Sequence, residues 1–214
     1  MLTAVESEGP KVEPGATVFV VDDDPSFRKS MRWLIESVGL NVQTYASGQE
    51  FLDAYDDSVA GCVVMDVRMP GPSGLDLQER LRENGIEIPV IIVTAYGDVP
   101  MAVRAMKAGA IDFVEKPFSD QQLLDQIQRA ITEDLKNRQD REWSSTIEQR
   151  VSQLTPRERQ VMDRVVAGLS SKEIGAELGI SFKTIEAHRA KIMKKMQART
   201  VSHLIRMNLQ AHRE

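Results

Sequence analysis

Between position 17 and about position 135, short runs of β-branched and apolar residues alternate with segments whose apolar residues recur every three or four positions. The runs TVFVVD (17–22), NVQTY (41–45), GCVVMD (61–66), PVIIVT (89–94) and DFVE (112–115) predict five strands, and helices are expected to start near Pro25, Gly48, Gly74, Val99 and Ser119. Strict alternation of strand and helix predicts an α/β fold, a doubly wound parallel sheet covered on both faces. The outer two strands alternate more than the middle three, as edge strands do.

The fifth helix continues the apolar spacing Leu124, Ile127, Ile131, Leu135 into a charged stretch, after which Trp143, Ile147, Val151 and Leu154 resume it. This predicts a helical linker, with 137–140 either part of the helix or a break in it. From Thr155 the pattern is all-helical. Thr155-Pro156-Arg157-Glu158 reads as a helix start, with Thr as cap, Pro at the first position and Glu three residues after the cap. Gly168 is expected to end that helix, Ser171–Leu178 to form a second that stops at Gly179, Ser181 to cap a third running to about Met196, and a fourth to follow Thr200. Val161, Val165, Ile174, Leu178, Ile180, Ile185, Ile192 and Met196 recur at helical intervals and are its expected core. The resulting partition is a disordered tail over 1–15, an α/β domain over 16–135, a linker over 136–152 and a small all-α domain over 153–214.

Charge sharpens this division. Residues 1–150 hold 15 Lys and Arg against 26 Asp and Glu, and residues 151–214 hold 12 against 6, so the formal charge of −5 joins an acidic part to a basic one. A compact basic segment suits a polyanion, although solvated helix faces look alike. The single Cys62 leaves no internal disulfide and, set in an apolar run, reads as a buried core residue of a cytoplasmic protein. The acidic start, broken by Pro10 and Pro14, lacks the features of a signal peptide, and the apolar runs fall short of the roughly 20 residues that span a bilayer. No membrane is expected among the partners.

The strand ends hold the candidate chemistry. Asp22, Asp66 and Thr94 close the first, third and fourth strands, where a doubly wound sheet places its site. Asp22, Asp23 and Asp24 repel one another unless a cation lies among them, and oxygen ligands with no His before His188 suit Mg²⁺ better than zinc. Standing alone, the cluster would equally suit an acidic turn or a helix cap.

Taken together, VVDDDP, MDVRMPG, VTAYGD and EKPF resemble, in order and spacing, the receiver domain of two-component response regulators. The resemblance implies Asp66 as phosphoacceptor, with Asp22, Asp23, Asp66 and the backbone carbonyl of Arg68 as ligands of Mg²⁺, and Asp24 outside that shell. Thr94 and Lys116 would contact the phosphoryl oxygens, neutralising charge on the transferred group. It further implies a cis bond before Pro117, Thr94 and Phe113 as the switch pair, and a partner histidine kinase as phosphodonor. Arg68 and Tyr96 resemble the positions that tune phosphoryl lifetime, and their bulk points to a long-lived phosphoaspartate.

The segment LTPRERQVMDRVVAGLSSKEIGAELGISFKTIEAHRAKIMKKMQART at 154–200 resembles the LuxR-type helix-turn-helix, and with the receiver it resembles the FixJ branch of the NarL/FixJ response regulators. Double-stranded promoter DNA is the implied partner, with RNA polymerase a further candidate and a homodimer expected on phosphorylation. Ser181, Lys183 and Thr184 stand at the start of the third helix, where amides and dipole favour phosphate. Glu186, Ala187, Ala190 and Lys183 are placed to read bases, while His188, Arg189 and Lys191 complete the expected DNA-binding set, with Lys194 and Lys195 as further phosphate contacts. Glu186 departs from the basic residue of many relatives; it is expected either to accept a cytosine amino hydrogen or to orient His188 or Arg189.

The expected function is therefore a DNA-binding regulator and not an enzyme. Two rivals are a receiver with an RNA-binding or protein-docking output and an aspartyl-phosphate phosphohydrolase. The phosphohydrolase would place its nucleophile at the end of the first strand with a second Asp two residues on, which Asp66 fits poorly. No GxxxxGK[ST] loop marks the chain as its own kinase.

Overall fold

The computed structural model describes residues 15–211, which fall into two compact units divided after Arg138. The tail expected over 1–15 lies, but for Gly15, outside the described residues.

In the first unit β1 (Thr17–Val21), β2 (Asn41–Tyr45), β3 (Gly61–Met65), β4 (Val90–Thr94) and β5 (Asp112–Glu115) form one sheet in the order β2-β1-β3-β4-β5. Every pairing is parallel, with Thr17 opposite both Asn41 and Gly61. Helices α1 (Pro25–Ser37), α2 (Gly48–Ala54), α3 (Gly74–Glu83), α4 (Val99–Lys107) and α5 (Asp120–Ser152) supply the crossovers and continue beyond the sheet. The three central strands are buried throughout and the edge strands β2 and β5 are not. β1 and β3 stop one residue short of the expected ends, so Asp22 and Asp66 are the first residues of the loops rather than the last of the strands.

Alternating side chains divide between two core layers. Val18, Val20, Cys62, Val64, Ile91 and Val93 pack on Met31 and Ile35 of α1 and on Leu123, Ile127 and Ile131 of α5. Phe19, Val21, Val63, Met65 and Ile92 pack on Phe51 of α2, on Leu77 and Leu81 of α3 and on Ala105 of α4. The period of two along a strand is what sends neighbours to opposite faces. Cys62 is fully buried and unpaired, and burial pushes its thiol above the ordinary range. Leu123, not the expected Leu124, is the fully buried leucine where α5 begins.

Helix α5 runs unbroken for 33 residues, so 137–140 are helical. Its carboxyl-terminal turns place Ile147 in the core of the second unit, with α6 (Pro156–Val166), α7 (Ser171–Leu178), α8 (Phe182–Met196) and α9 (Val201–Ala211). Thr155 and Glu158 bond reciprocally in a capping box on α6, as do Ser170 and Glu173 on α7. Gly179, at φ +66°, ends α7 in the left-handed region that favours glycine, and Ser181 caps α8 two residues later. Val161, Val165, Ile174, Ile185, Ile192 and Met196 are buried as expected, and Leu178 and Ile180 are half-buried against them. No helix among the described residues is long and apolar enough to cross a membrane.

Candidate functional site

The order of the strands reverses between β1 and β3, and the residues that follow their carboxyl ends meet there. Asp22 and Asp66 are buried, at 2% and 7% exposure, and both face Lys116: its Nζ donates to Asp22 Oδ2 at 2.8 Å and to Asp66 Oδ1 at 3.2 Å. The other Asp66 oxygen accepts from the amide of Arg68 at 2.5 Å. Lys116 follows β5, where its amide donates to the Thr94 carbonyl at 2.8 Å, and the Lys116-Pro117 bond is cis. The ammonium also stands 3.5 Å from the ring centre of Phe27, a cation over an aromatic face.

Burial raises the pKa of Asp66, and the Lys116 ammonium and the Arg68 amide pull it down by less. Asp22 spends Oδ1 on the amide of Asp24, while Arg28 donates to the Asp22 carbonyl at 2.6 Å. Asp24 caps α1 by accepting from Ser26, so one of the three adjacent acids serves the helix. Asp23 is exposed, and among the described residues its carboxylate bonds no other side chain. No group of three or more His, Cys, Asp or Glu among the described residues is gathered to hold a metal ion. Asp22 and Asp66 find their opposite charge in Lys116. The donors remain all-oxygen and rich in carboxylate, the set a hard divalent cation takes.

Thr94 is fully buried at the end of β4, its hydroxyl accepting from the amide of Tyr96 at 3.4 Å. Phe113 on β5 is half-buried and lies under Gly97; a Cβ at Gly97 would stand 2.9 Å from the Phe113 ring. The missing side chain leaves room for that ring. Arg68 and Tyr96 stack across the mouth of the site, guanidinium carbon to ring centre 4.6 Å, with Tyr96 64% exposed. Phe27, Arg28 and Gly97 carried no signal in the sequence, because each acts through a neighbour brought up by the fold.

In the second unit α8 buries Ile185, Ile192 and Met196 and turns the opposite face outward. Ser181, Lys183, Thr184, Glu186, Ala187, Ala190 and Lys191 are exposed, and His188 and Arg189 are half-covered. Ser181 Oγ accepts from the amide of Thr184 at 3.1 Å. Glu186 Oε1 accepts from Ser171 Oγ at 2.5 Å and lies 3.9 Å from Arg189 Nε. Lys195 departs from its expected place among the phosphate contacts: its Nζ donates to Glu158 Oε2 at 2.6 Å and to the Gln153 carbonyl at 3.0 Å. Glu158 is buried, and the Lys195 ammonium with the Thr155 amide brings its carboxyl down to about 2. Lys194 stays exposed.

A model of the response regulator receiver domain matches residues 18–128, and one of the luxR family of bacterial regulatory proteins matches residues 152–208. The transcriptional regulatory protein FixJ of Bradyrhizobium diazoefficiens is 45% identical over 194 residues, covering 91% of this chain and 95% of its own length. Nodulation protein W of the same organism is 46% identical over 193 residues, covering 90% of this chain and 85% of its own. Among solved structures, the response regulator StyR shares 44% identity at a TM-score of 0.82, covering 92% of this chain and 99% of its own. Full-length FixJ from B. japonicum shares 43% at a TM-score of 0.56, covering 92% and 97%. The chain belongs to the two-component response regulators of FixJ type, a receiver domain joined to a LuxR-type DNA-binding domain in the architecture of a transcription regulator.

Proposed function

We propose that a partner histidine kinase phosphorylates Asp66, and that the phosphorylated protein pairs with a second copy and binds promoter DNA through α8. The observation that supports this most is the meeting of Asp66, Asp22, Thr94 and Lys116 at the ends of four strands. One oxygen of Asp66 attacks phosphorus, a P–O bond forms, and the P–N bond to the donor imidazole breaks with its electron pair leaving on nitrogen. Lys116, already against Asp66, is placed to turn to the phosphoryl oxygens and offset their charge. Asp22, Asp23 and Asp66 with the Arg68 carbonyl would hold Mg²⁺, which supplies charge neutralisation on the transferred group when bound.

Thr94 and Phe113 are the switch pair. The phosphoryl group gives the Thr94 hydroxyl a new charge-assisted acceptor, and contacts made in one state only are what shift an equilibrium. The stack of Arg68 on Tyr96 restricts approach of water to Asp66, which favours a long-lived phosphoaspartate. On the DNA side, Ser181, Lys183 and Thr184 at the start of α8 and Lys191 further along it serve phosphates, and Ala187 and Ala190 lie along the groove-facing side, with His188 half-covered beside the core face. Residues 136–152 join the two domains as part of the continuous helix α5, its last turns packing into the core of the second unit, and the protein works in the cytoplasm.

The test is labelling by a small phosphodonor with Mg²⁺. Wild type is expected to gain one acid-labile, base-labile phosphate that chelation prevents, and Asp66→Asn none. Wild-type labelling of Asp66→Asn would refute the assignment.

A further inference from the structure

We propose that Phe27 is a positioning residue for phosphoryl transfer: its ring face holds the Lys116 ammonium at Asp66 while the carboxylates beside it take on other partners. The proposal rests on the reading that Asp66 accepts the phosphoryl group. Lysine carries three donors on a flexible four-carbon stem, so what surrounds the ammonium decides where it stands. Asp22 and Asp66 accept from it at 2.8 Å and 3.2 Å, which leaves one donor over. The ring of Phe27, its centre 3.5 Å from Nζ, faces the same ammonium. A cation over an aromatic face is attracted by the ring, the more so where water is excluded, and the Lys116 side chain is only 21% exposed.

The first turn of α1 places that ring. Asp24 caps the turn, Phe27 stands in it, and Arg28 ties it to the site by donating to the Asp22 carbonyl at 2.6 Å. Phe118, two residues after Lys116, meets Phe27 edge to face, with ring centres 6.3 Å apart and planes at 90°. The ring is thus held both from α1 and from the loop that carries the lysine. During transfer an Asp66 oxygen forms a P–O bond, and Asp22 is among the proposed ligands of Mg²⁺, so both carboxylates change partners. A ring face binds neither the metal nor the phosphoryl group, and it attracts over its breadth rather than along one bond direction. It therefore keeps the ammonium in place as Nζ turns from Asp66 to the phosphoryl oxygens. An aliphatic side chain of similar bulk would fill the space without that attraction.

The experiment joins two measurements on the full-length protein. The first is the magnetic resonance shift of the Lys116 ε-methylene protons; the second is the rate of labelling by phosphoramidate with Mg²⁺, in which the P–N bond of the N-protonated donor breaks and ammonia leaves with the electron pair. In wild type the ring is expected to shift the ε-protons upfield of those of an uncovered lysine, an effect lost in Phe27→Leu and kept in Phe27→Tyr. Phe27→Leu is expected to slow labelling roughly three- to tenfold and to add nothing to Lys116→Met, while Phe27→Tyr, which keeps the ring face, labels near the wild-type rate. Unshifted ε-protons in wild type overturn the proposal, whatever the variants do. So does a Phe27→Leu variant labelled as fast as wild type, or one slowed by the same factor with and without the Lys116 ammonium, which is what loosened packing alone would give. In each of these cases Asp66 remains the acceptor if Asp66→Asn takes no label. Labelling of Asp66→Asn at the wild-type level would instead bring down the reading of the site, and this proposal with it.

Discussion

Burial raises the proton affinity of Asp66 in spite of the ammonium beside it, and the sign of that shift has a consequence for stability. Between the ordinary carboxyl pKa and the raised one, the folded protein binds more protons than the unfolded chain, so stability falls as pH rises through that window. Asp66→Asn removes the buried charge and leaves Lys116 its bond to Asp22. Its melting temperature is therefore expected to exceed wild type at pH 7, the gap closing toward pH 3; a variant that melts lower at pH 7 would mean that Lys116 outweighs burial. Glu158 works in the opposite sense. Held at about 2 against an ordinary 4.5, it contributes stability above pH 4.5 that is lost as pH falls toward 2. Lys195→Met is expected to cost about 1–2 kcal/mol, since the lysine is a third exposed, and to flatten the acid limb of a pH-dependent unfolding curve. The pair lies 37 residues apart in sequence, and only the packing of α6 on α8 makes it a pair. Sequence alone therefore put Lys195 among the DNA contacts.

At the scale of elements, helix starts and strand centres were legible because caps, prolines and apolar period agree, and their bounds fall within a residue or so of expectation. What period cannot supply is the choice between adjacent candidates: Leu123 and Leu124 both fit the apolar stripe of α5, and docking against the sheet selects Leu123. Nor could the charged stretch after Leu135 announce its purpose. Asp134, wholly buried, accepts from the amide of Gly61 at 2.9 Å and from Arg138 Nε at 2.7 Å on one oxygen. Arg138 also donates to the carbonyls of Asp57 and Val59, so one guanidinium fastens α5 to the loop before β3. Arg138→Ala strands the buried carboxylate and is expected to cost about 3–5 kcal/mol. Hydrogen exchange at the Gly61 amide reports on it directly, and should accelerate in Arg138→Ala with far less effect on amides of α8. Arg138→Lys is expected to recover only part, because an ammonium cannot reproduce three directed contacts. An unchanged exchange rate at Gly61 would show that the clamp is idle.

At the scale of the molecule, a single LuxR-type domain offers one recognition helix and few phosphate contacts, which is little for specific binding at cellular salt. Pairing two of them makes the second contact effectively intramolecular and can raise affinity by roughly 10²–10⁴ without any new contact. Helix α4 and strand β5 are the face best suited to the proposed pairing. Val99, Val103 and Met106 stand 76%, 46% and 49% exposed on α4, while Thr94 and Phe113, the expected switch pair, end β4 and lie in β5 beside it. The acidic strand ends were legible in the sequence, and so was this face by its position beside Thr94 and Phe113; its apolar exposure was not, because exposure is a property of the fold and three apolar residues on a short helix look like core. A phosphoryl mimic is expected to convert a mainly monomeric protein into a dimer in sedimentation and to select inverted half-sites centred about one helical turn apart. Val103→Lys should still be labelled on Asp66 yet stay monomeric, and should lose most of the gain in affinity that the mimic gives wild type. If wild type binds its operator tightly with the mimic while sedimenting as a monomer, dimerisation is not the switch. Tight binding by a fragment of residues 149–214 alone would then place the control in release from a receiver that holds the DNA-binding domain back.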